Sequence, residues 1–459
     1  MIYVIACVAA IAGLLTGYGE GIITATTQPL RQVIVIAALE EGLLSTTVPL
    51  GALLGAVVGA VLGAAFGRRV LLIVAAAMFL IGPSLCAVAS DFVLFAIGRF
   101  IIGLAIGIGA VMAPAYIAES ATERRRGLLV GLYPVAYTLG ILAAYLAGVA
   151  YADQWRWLFA SAAVPGLVLL VWLWRLPSSP RMMVLAGREK EAGLLIARLQ
   201  GWKSRDPRPA QIIAAIRRAS RADSRYGTWL DLLLPGPRMA LLAGIGLFFF
   251  QQMTGIAAAM RYAPGVFADA GLEHGSAQVA TVVGFCVLNL LAMLGCLLTV
   301  DTVGRRRLLV LGFGGAAASL AILALAAAVG TGSVQVVAFM GLALYAVSFG
   351  LAIGPVPWIV AAEVFPLNLR GAGIALSTIS NWVFGFLALA SLPALEPLVG
   401  FPLIFMSAAV MSLLAIWFSL RCVPDCAGRT LEDIEQEVRA GRGAALRLRP
   451  DPAAPQYGR

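Results

Sequence analysis

Phe248-Phe249-Phe250-Gln251-Gln252-Met253-Thr254-Gly255-Ile256-Ala257-Ala258-Ala259-Met260-Arg261-Tyr262-Ala263-Pro264 begins as an apolar helix and then sets two adjacent amides inside it. An unpaired amide in hydrocarbon costs about 4–8 kcal/mol on alkane-like scales, so Gln251 and Gln252 must face protein or water. Neighbouring helix positions lie about 100° apart, so the pair spreads over one side and suits a ligand with several hydroxyls. The alternative is that the amides pack two helices together. Gly255 and Pro264 weaken the helix further along, as expected where a spanning segment must bend.

The surrounding composition sets the solvent. Over 459 residues the chain is 61% hydrophobic and 12% charged, with a mean hydropathy of +0.93, which excludes a water-soluble globule. It reads as an all-α integral membrane protein. A spanning helix needs about 20 apolar residues, and roughly twelve such runs fit between the polar breaks. Abundant glycine and alanine suit helices that approach closely in lipid. Met1 leads straight into an apolar run with no basic n-region and no small-residue cleavage site, so no cleaved signal is expected.

A net charge of +10 raises the question of nucleic acid, and the placement of the charges answers it. All Lys and Arg except Arg31, Arg99, Arg156 and Arg261 fall in alternate loops or the C-terminal tail. That is the positive-inside pattern, and it puts both termini in the cytoplasm. The six cysteines lie mostly inside apolar runs and form no disulfide framework. His274 is the only histidine, and Lys190 and Lys203, the only lysines, lie outside any phosphate-binding loop. ATP-driven pumping and a histidine-based triad are both disfavoured, no cofactor or metal site is expected, and the chain does not read as an enzyme.

Span 1 covers about residues 2–23 and carries Glu20 near its outer end. Span 2 (about 43–66) ends at Gly67-Arg68-Arg69, and span 3 (about 70–89) returns outward. Span 4 enters through Gly98-Arg99-Phe100, offers Gly103 and Gly107 as a small-residue face, and ends before Arg124-Arg125-Arg126-Gly127. Spans 5 and 6 complete residues 1–176. Residues 177–238 form a polar, Arg-rich linker with helical patterns near 189–199 and 210–220, read as a solvated or lipid-headgroup-facing surface. Residues 239–420 hold six further spans, and 421–459 a tail.

The two sets of spans repeat each other. Gly67-Arg68-Arg69 returns as Gly304-Arg305-Arg306, an offset of 304 − 67 = 237, and Glu119 with Arg126-Gly127 returns as Glu363 with Arg370-Gly371, an offset of 363 − 119 = 244. Nearly equal offsets indicate one six-helix unit used twice, the plan of alternating-access carriers.

These residues in this order resemble the sugar porters of the major facilitator superfamily over nearly the whole chain. The resemblance rests on Gly98-Arg99-Phe100, Glu119, Arg126-Gly127, Pro177-Ser178-Ser179-Pro180-Arg181 and Gln251-Gln252-x-x-Gly255. It continues through Asp301-x-x-Gly304-Arg305-Arg306, Gly354-Pro355-Val356-Pro357-Trp358, Glu363, Arg370-Gly371, Asn381-Trp382 and Gly428-Arg429-Thr430-Leu431-Glu432. It implies twelve helices in two pseudo-symmetric bundles. It also implies substrate contacts at Gln251, Gln252, Asn289, Trp358, Asn381 and Trp382, where amides read hydroxyls and indoles offer a flat face. Arg68, Arg69, Glu119 and Arg126 in one half, and Asp301, Arg305, Arg306, Glu363 and Arg370 in the other, are implied to form ion pairs that lock the cytoplasmic side. Such pairs are expected to be partly exposed, worth about 1 kcal/mol each, and effective only collectively.

The chain departs from the family at several positions. Proton-coupled members carry an aspartate in helix 1 where Gly17-Tyr18-Gly19 has none; Glu20 follows, and it is expected to pair with Arg99 at similar depth and carry the proton. The alternative is that Glu20 snorkels to the outer interface. Two helix 5 glutamines are replaced by Pro134 and Ile141, a helix 7 asparagine by Ala257, and a helix 7 tyrosine by Arg261, beside Tyr262. Arg261 is expected either to close the outer gate or to add a positive charge that favours an acidic or phosphorylated substrate. Ala64 stands where a motif aspartate is usual, which weakens the first-half lock.

The resulting reading is a secondary transporter of a monosaccharide or similar polyol, driven by proton symport. The alternatives are a uniporter, a carrier of an anionic metabolite such as a sugar acid, and a non-transporting sensor, which usually needs a longer tail. The lipid bilayer, the sugar and the proton are the expected partners, and a monomer is expected. The Arg-rich, Lys-poor composition fits GC-rich coding and hence a bacterial inner membrane.

Overall fold

The computed structural model of the chain describes residues 10–22, 38–121, 126–151, 154–200, 202, 206–222, 229–269, 274–329, 331–365 and 369–424. Every regular element among them is helical. In order these are α1 (residues 10–22), α2 (Ala38–Phe66), α3 (Arg68–Val88), α4 (Phe92–Ser120), α5 (Arg126–Ala150) and α6 (Trp155–Arg175). The polar linker contributes α7 (Pro180–Leu185), α8 (Glu189–Gln200), α9 (Arg208–Ala222) and a 3-10 turn at Trp229–Leu233. The remainder is α10 (Pro237–Met253), α11 (Ile256–Asp269), α12 (His274–Val303), α13 (Arg305–Val329), α14 (Thr331–Ser348), α15 (Pro355–Glu363) and α16 (Arg370–Cys422).

Among the described residues the apolar helices break and join at places other than those the sequence suggests. The span expected around the opening stretch is two helices: α10 stops at Met253, and Gly255 turns the chain at φ 86° before α11 begins. Pro264 does not break α11, which runs through it. The last two spans are one helical run, α16, divided only at Gly400, whose φ is 71°. Helices such as α4, with 29 residues, reach about 44 Å at 1.5 Å per residue, more than the ~30 Å hydrocarbon core requires.

Packing follows from small residues inside and large apolar ones outside. α2 lies on α4, α3 on α4 and α6, and α13 and α10 on α16. The small face of α4 does what its sequence implies: a Cβ on Gly107 would lie 2.0 Å from the Ala52 carbonyl oxygen of α2. Leu298 is 76% and Leu398 79% exposed; with no water-compatible covering, this outer surface belongs in lipid.

The internal repeat is visible atom by atom. Gly67 and Gly304 start α3 and α13 with φ of 88° and 92°, a left-handed turn that disfavours any side chain. The arginine that follows each glycine turns back on the preceding helix: Arg68 Nη1 donates to the Gly63 carbonyl at 2.8 Å, and Arg305 Nη1 donates to the Val300 carbonyl at 3.0 Å. The spacing is five residues in both cases.

Candidate functional site

The second half builds its centre around a helix that cannot close its own hydrogen bonds. Pro357 lacks the N–H that would reach the Ile353 carbonyl one turn earlier, and the residues before it, Phe349–Ile353, widen into a π turn. Gln251 fills the gap, its Nε2 donating to the carbonyls of Ile353 at 2.8 Å and Gly354 at 3.0 Å. The neighbouring amide does something else: Gln252 Nε2 donates to Asn381 Oδ1 at 2.6 Å. The packing reading describes Gln251, which braces two helices; Gln252 instead pairs with a side chain of α16.

Two further expected contact residues carry polar atoms that the described residues leave unused. Asn289 is buried on α12, and its Oδ1 has no hydrogen-bond partner among the described residues. The indole Nε1 of Trp382 is buried and unpartnered in the same way. Trp358, half-buried at the start of α15, meets Phe248 edge-on at 4.9 Å and the ring of Tyr133 at 5.5 Å. Tyr133 belongs to α5, so aromatic contact crosses between the halves here. The structure thus brings Gln252 and Asn381 into contact and commits the Gln251 amide nitrogen to backbone.

On the first-half side, α1 and α5 touch through glycine. A Cβ on Gly17 would lie 1.9 Å from the Tyr137 carbonyl oxygen, so only glycine permits the approach. Two side-chain rungs result. Tyr137 donates its hydroxyl to Glu20 Oε2 at 2.6 Å, and one turn away Thr16 and Tyr133 share a hydroxyl contact of 3.4 Å. The expected Glu20–Arg99 pair is not formed among the described residues. Arg99 is buried against Cys86 of α3, and Glu20 is turned to α5, because a one-residue step along α1 rotates the side chain away from α4. Glu20 does not snorkel outward either: its Oε1 is buried and unpartnered. Neither Tyr133 nor Tyr137 stood out in the sequence, since aromatics in an apolar helix ordinarily read as packing.

Arg261 is half exposed and forms an ion pair with Glu396 of α16. The partner was missed because Glu396 stands alone among apolar residues and prolines. Tyr262 packs its ring on Phe401 and Phe405 of the same helix, at 5.0 and 5.2 Å.

At the end of the bundle that carries the linker, the charge network is buried, contrary to the expectation of partial exposure. Arg68–Glu119 is 2.9 Å long with side chains 8% and 2% exposed, and Arg305–Glu363 is 2.9 Å with 2% and 1%. Helix ends look wet in sequence, but here the α7 segment and the other half cover them: Tyr116 donates to the Pro177 carbonyl, and Met182 packs under Gly67. Removing one member of such a buried pair costs about 3–5 kcal/mol, because the other charge is stranded. Arg305 also holds Asp301 at 2.7 Å, and Asp301 Oδ2 accepts the backbone N–H of Leu128 from the opposite half at 3.1 Å. Ala64 has no carboxylate for the matching bond. Arg181 and Arg370 add positive potential at Glu119, and Arg370 itself donates to the Phe365 carbonyl.

Two expected network members are used differently. Arg69 caps α6, donating to the Leu173 and Trp174 carbonyls, whose orphan acceptors at the helix end attract it. Arg306 forms no ion pair among the described residues. The side chains of Arg126 and His274 and the tail motif lie outside the described residues.

Residues 5–438 match the family described as "Sugar (and other) transporter". A putative metabolite transport protein, YwtG of Bacillus subtilis, is 33% identical over 438 residues, 95% of this chain and 94% of the relative. The glucose transporter GlcP of Staphylococcus epidermidis is 33% identical over 445 residues, covering 96% and 98%. Among solved structures, the proton:xylose symporter XylE bound to 6-bromo-6-deoxy-D-glucose superposes with a TM-score of 0.86 at 26% identity, over 95% of this chain and 98% of that one. The inward-open conformation of the same transporter, from E. coli, gives 0.70 at 26% identity over 95% and 99%. With a whole-chain family match, full-length relatives and a shared twelve-helix architecture, the chain belongs to the sugar porter family of the major facilitator superfamily, a family of transporters.

Proposed function

We propose that the chain carries a monosaccharide or similar polyol across a bacterial inner membrane in symport with protons, with both termini in the cytoplasm. The two six-helix units, residues 1–176 and 239–420, are the bodies that rock about a central site. The observation that carries the substrate reading is the set of polar atoms left open among the described residues, Asn289 Oδ1 and Trp382 Nε1, taken together with the Gln252–Asn381 pair and the half-buried Trp358. A hydroxyl-rich ring supplies donors and acceptors for those atoms and an apolar face for the indole. Relatives named as glucose and proton:xylose transporters support the same class of cargo.

Glu20 is the proton-carrying group in this reading, being the carboxylate of α1 with an unfilled oxygen inside the bundle. The network joining Arg68 to Glu119 and Arg305 to Asp301 and Glu363 is the cytoplasmic lock, closed here. Arg261 and Tyr262 act at the outer gate. The Glu396 carboxylate compensates the Arg261 charge, which favours the gate role over recruitment of a sugar acid.

Uptake into proteoliposomes tests the reading. Labelled D-glucose, D-xylose, D-galactose, a linear polyol and D-glucuronate are offered with and without an inward-directed proton gradient. Accumulation of a neutral sugar or polyol above equilibrium only with the gradient is the expected result. Equilibration without accumulation makes the protein a uniporter, and uptake of glucuronate alone replaces the neutral substrate with an acid.

A further inference from the structure

Resting on the symport reading above, we infer that Tyr137 is the positioning residue of the proton site: its hydroxyl, rather than the Arg99 guanidinium, holds the Glu20 carboxyl where it takes up and releases the transported proton. The geometry is set by backbone. Gly17 and Gly140 bring α1 and α5 so close that a Cβ on either would meet a carbonyl oxygen of the other helix, at 1.9 and 2.1 Å. That contact fixes the register of two rungs, Thr16–Tyr133 and Glu20–Tyr137. Along α1 the carboxylate is four residues from Thr16, and along α5 the two tyrosines are four residues apart, so both rungs lie on one face of each helix.

The groups facing Glu20 can be named for each neighbouring element. From α5 come Tyr137 in direct contact and Tyr133 one turn away. From α4, Ile102 and Ile106 pack on Gly19, and Arg99 is set against Cys86. From α12, the Cys286 thiol lies near Tyr137. A guanidinium only donates, so it serves the ionised carboxylate and opposes the protonated acid. A phenol donates to the carboxylate and accepts from the carboxylic acid. With Tyr137 as partner the proton joins Glu20 from water on one side and leaves to water on the other, while the hydroxyl reverses its role and no buried cation is stranded. The other rung places Tyr133 against Trp358, so the proton site and the sugar-facing indole share one row of side chains.

The test uses the full-length protein in proteoliposomes and, as probe, whichever of D-glucose, D-xylose and D-galactose the wild type exchanges fastest. Equilibrium exchange, which needs no net proton movement, is compared with gradient-driven accumulation. For Tyr137→Phe the accumulation is expected to fall at least tenfold more than the exchange, and the double variant Glu20→Gln/Tyr137→Phe to accumulate no less than Glu20→Gln alone. Equal losses in the two assays assign Tyr137 a structural role and overturn the inference, as does accumulation at the wild-type level or additive losses in the double variant. Arg99→Gln runs in parallel, and an accumulation-selective defect there with none in Tyr137→Phe returns the role to the arginine. A wild type that exchanges sugar but shows no gradient-driven accumulation removes the symport reading itself, which separates the two failures.

Discussion

Asn289 and Trp382 hold the clearest unmet demand in the molecule, an acceptor oxygen and a donor nitrogen buried without partners among the described residues. A buried polar group left unsatisfied costs about 1–3 kcal/mol, and a ligand hydroxyl at each position recovers it. Asn289→Ala is therefore expected to weaken sugar affinity by roughly 10- to 100-fold, the equivalent of that energy. Isothermal titration against the transported sugar measures it, and an unchanged affinity takes Asn289 out of the site. Gln252 stood out in the sequence because a buried amide is costly wherever it lies. Tyr137 did not, because its hydrogen bond to Glu20 joins residues 117 apart, which no local spacing encodes.

The junction of α14 and α15 illustrates what an element needs from its neighbours. The prolines at 355 and 357 were visible in sequence, but the donor that replaces the missing N–H was not. Gln251 lies about a hundred residues upstream and satisfies two carbonyls at once. Gln251→Ala is expected to strand both, at about 1–3 kcal/mol each, and so to lower the melting temperature of the sugar-free protein. Gln252→Ala, which leaves the α14–α15 backbone untouched, is expected to lower affinity with less effect on melting. A differential scanning fluorimetry comparison of the two separates brace from binder, and equal shifts would show that the distinction is unfounded. The repeat between halves was fully legible, since Gly67 and Gly304 must both be glycine for the same left-handed turn.

At the scale of the whole molecule the ion pairs at the linker end are formed and buried, and the chain superposes better on the sugar-bound relative, at 0.86, than on its inward-open form, at 0.70. Sequence placed the charges at the right helix ends but misjudged their burial, because coverage by α7 and by the opposite half is a tertiary property. The lock is also uneven. Asp301 reaches across to the Leu128 N–H, whereas Ala64 offers nothing in return. Asp301→Asn is expected to loosen that bridge and speed amide exchange at the start of α5, while Glu119→Gln acts mainly on α3 and α4. Hydrogen exchange read by mass spectrometry in detergent resolves the two regions, and identical patterns would count against the uneven lock.

The burial of Arg68, Glu119, Arg305 and Glu363 has one further consequence. In the closed state these four ionised groups are dry, and each pair is neutralised by its own partner. Opening that end separates them, and a separated ion in the interior is tolerable only when hydrated. On the proposed cycle, the step that opens this end is therefore also a wetting step, in which water enters as the counterweight to every broken pair. The rate of turnover then depends on how readily solvent floods the vestibule as well as on how tightly sugar is held.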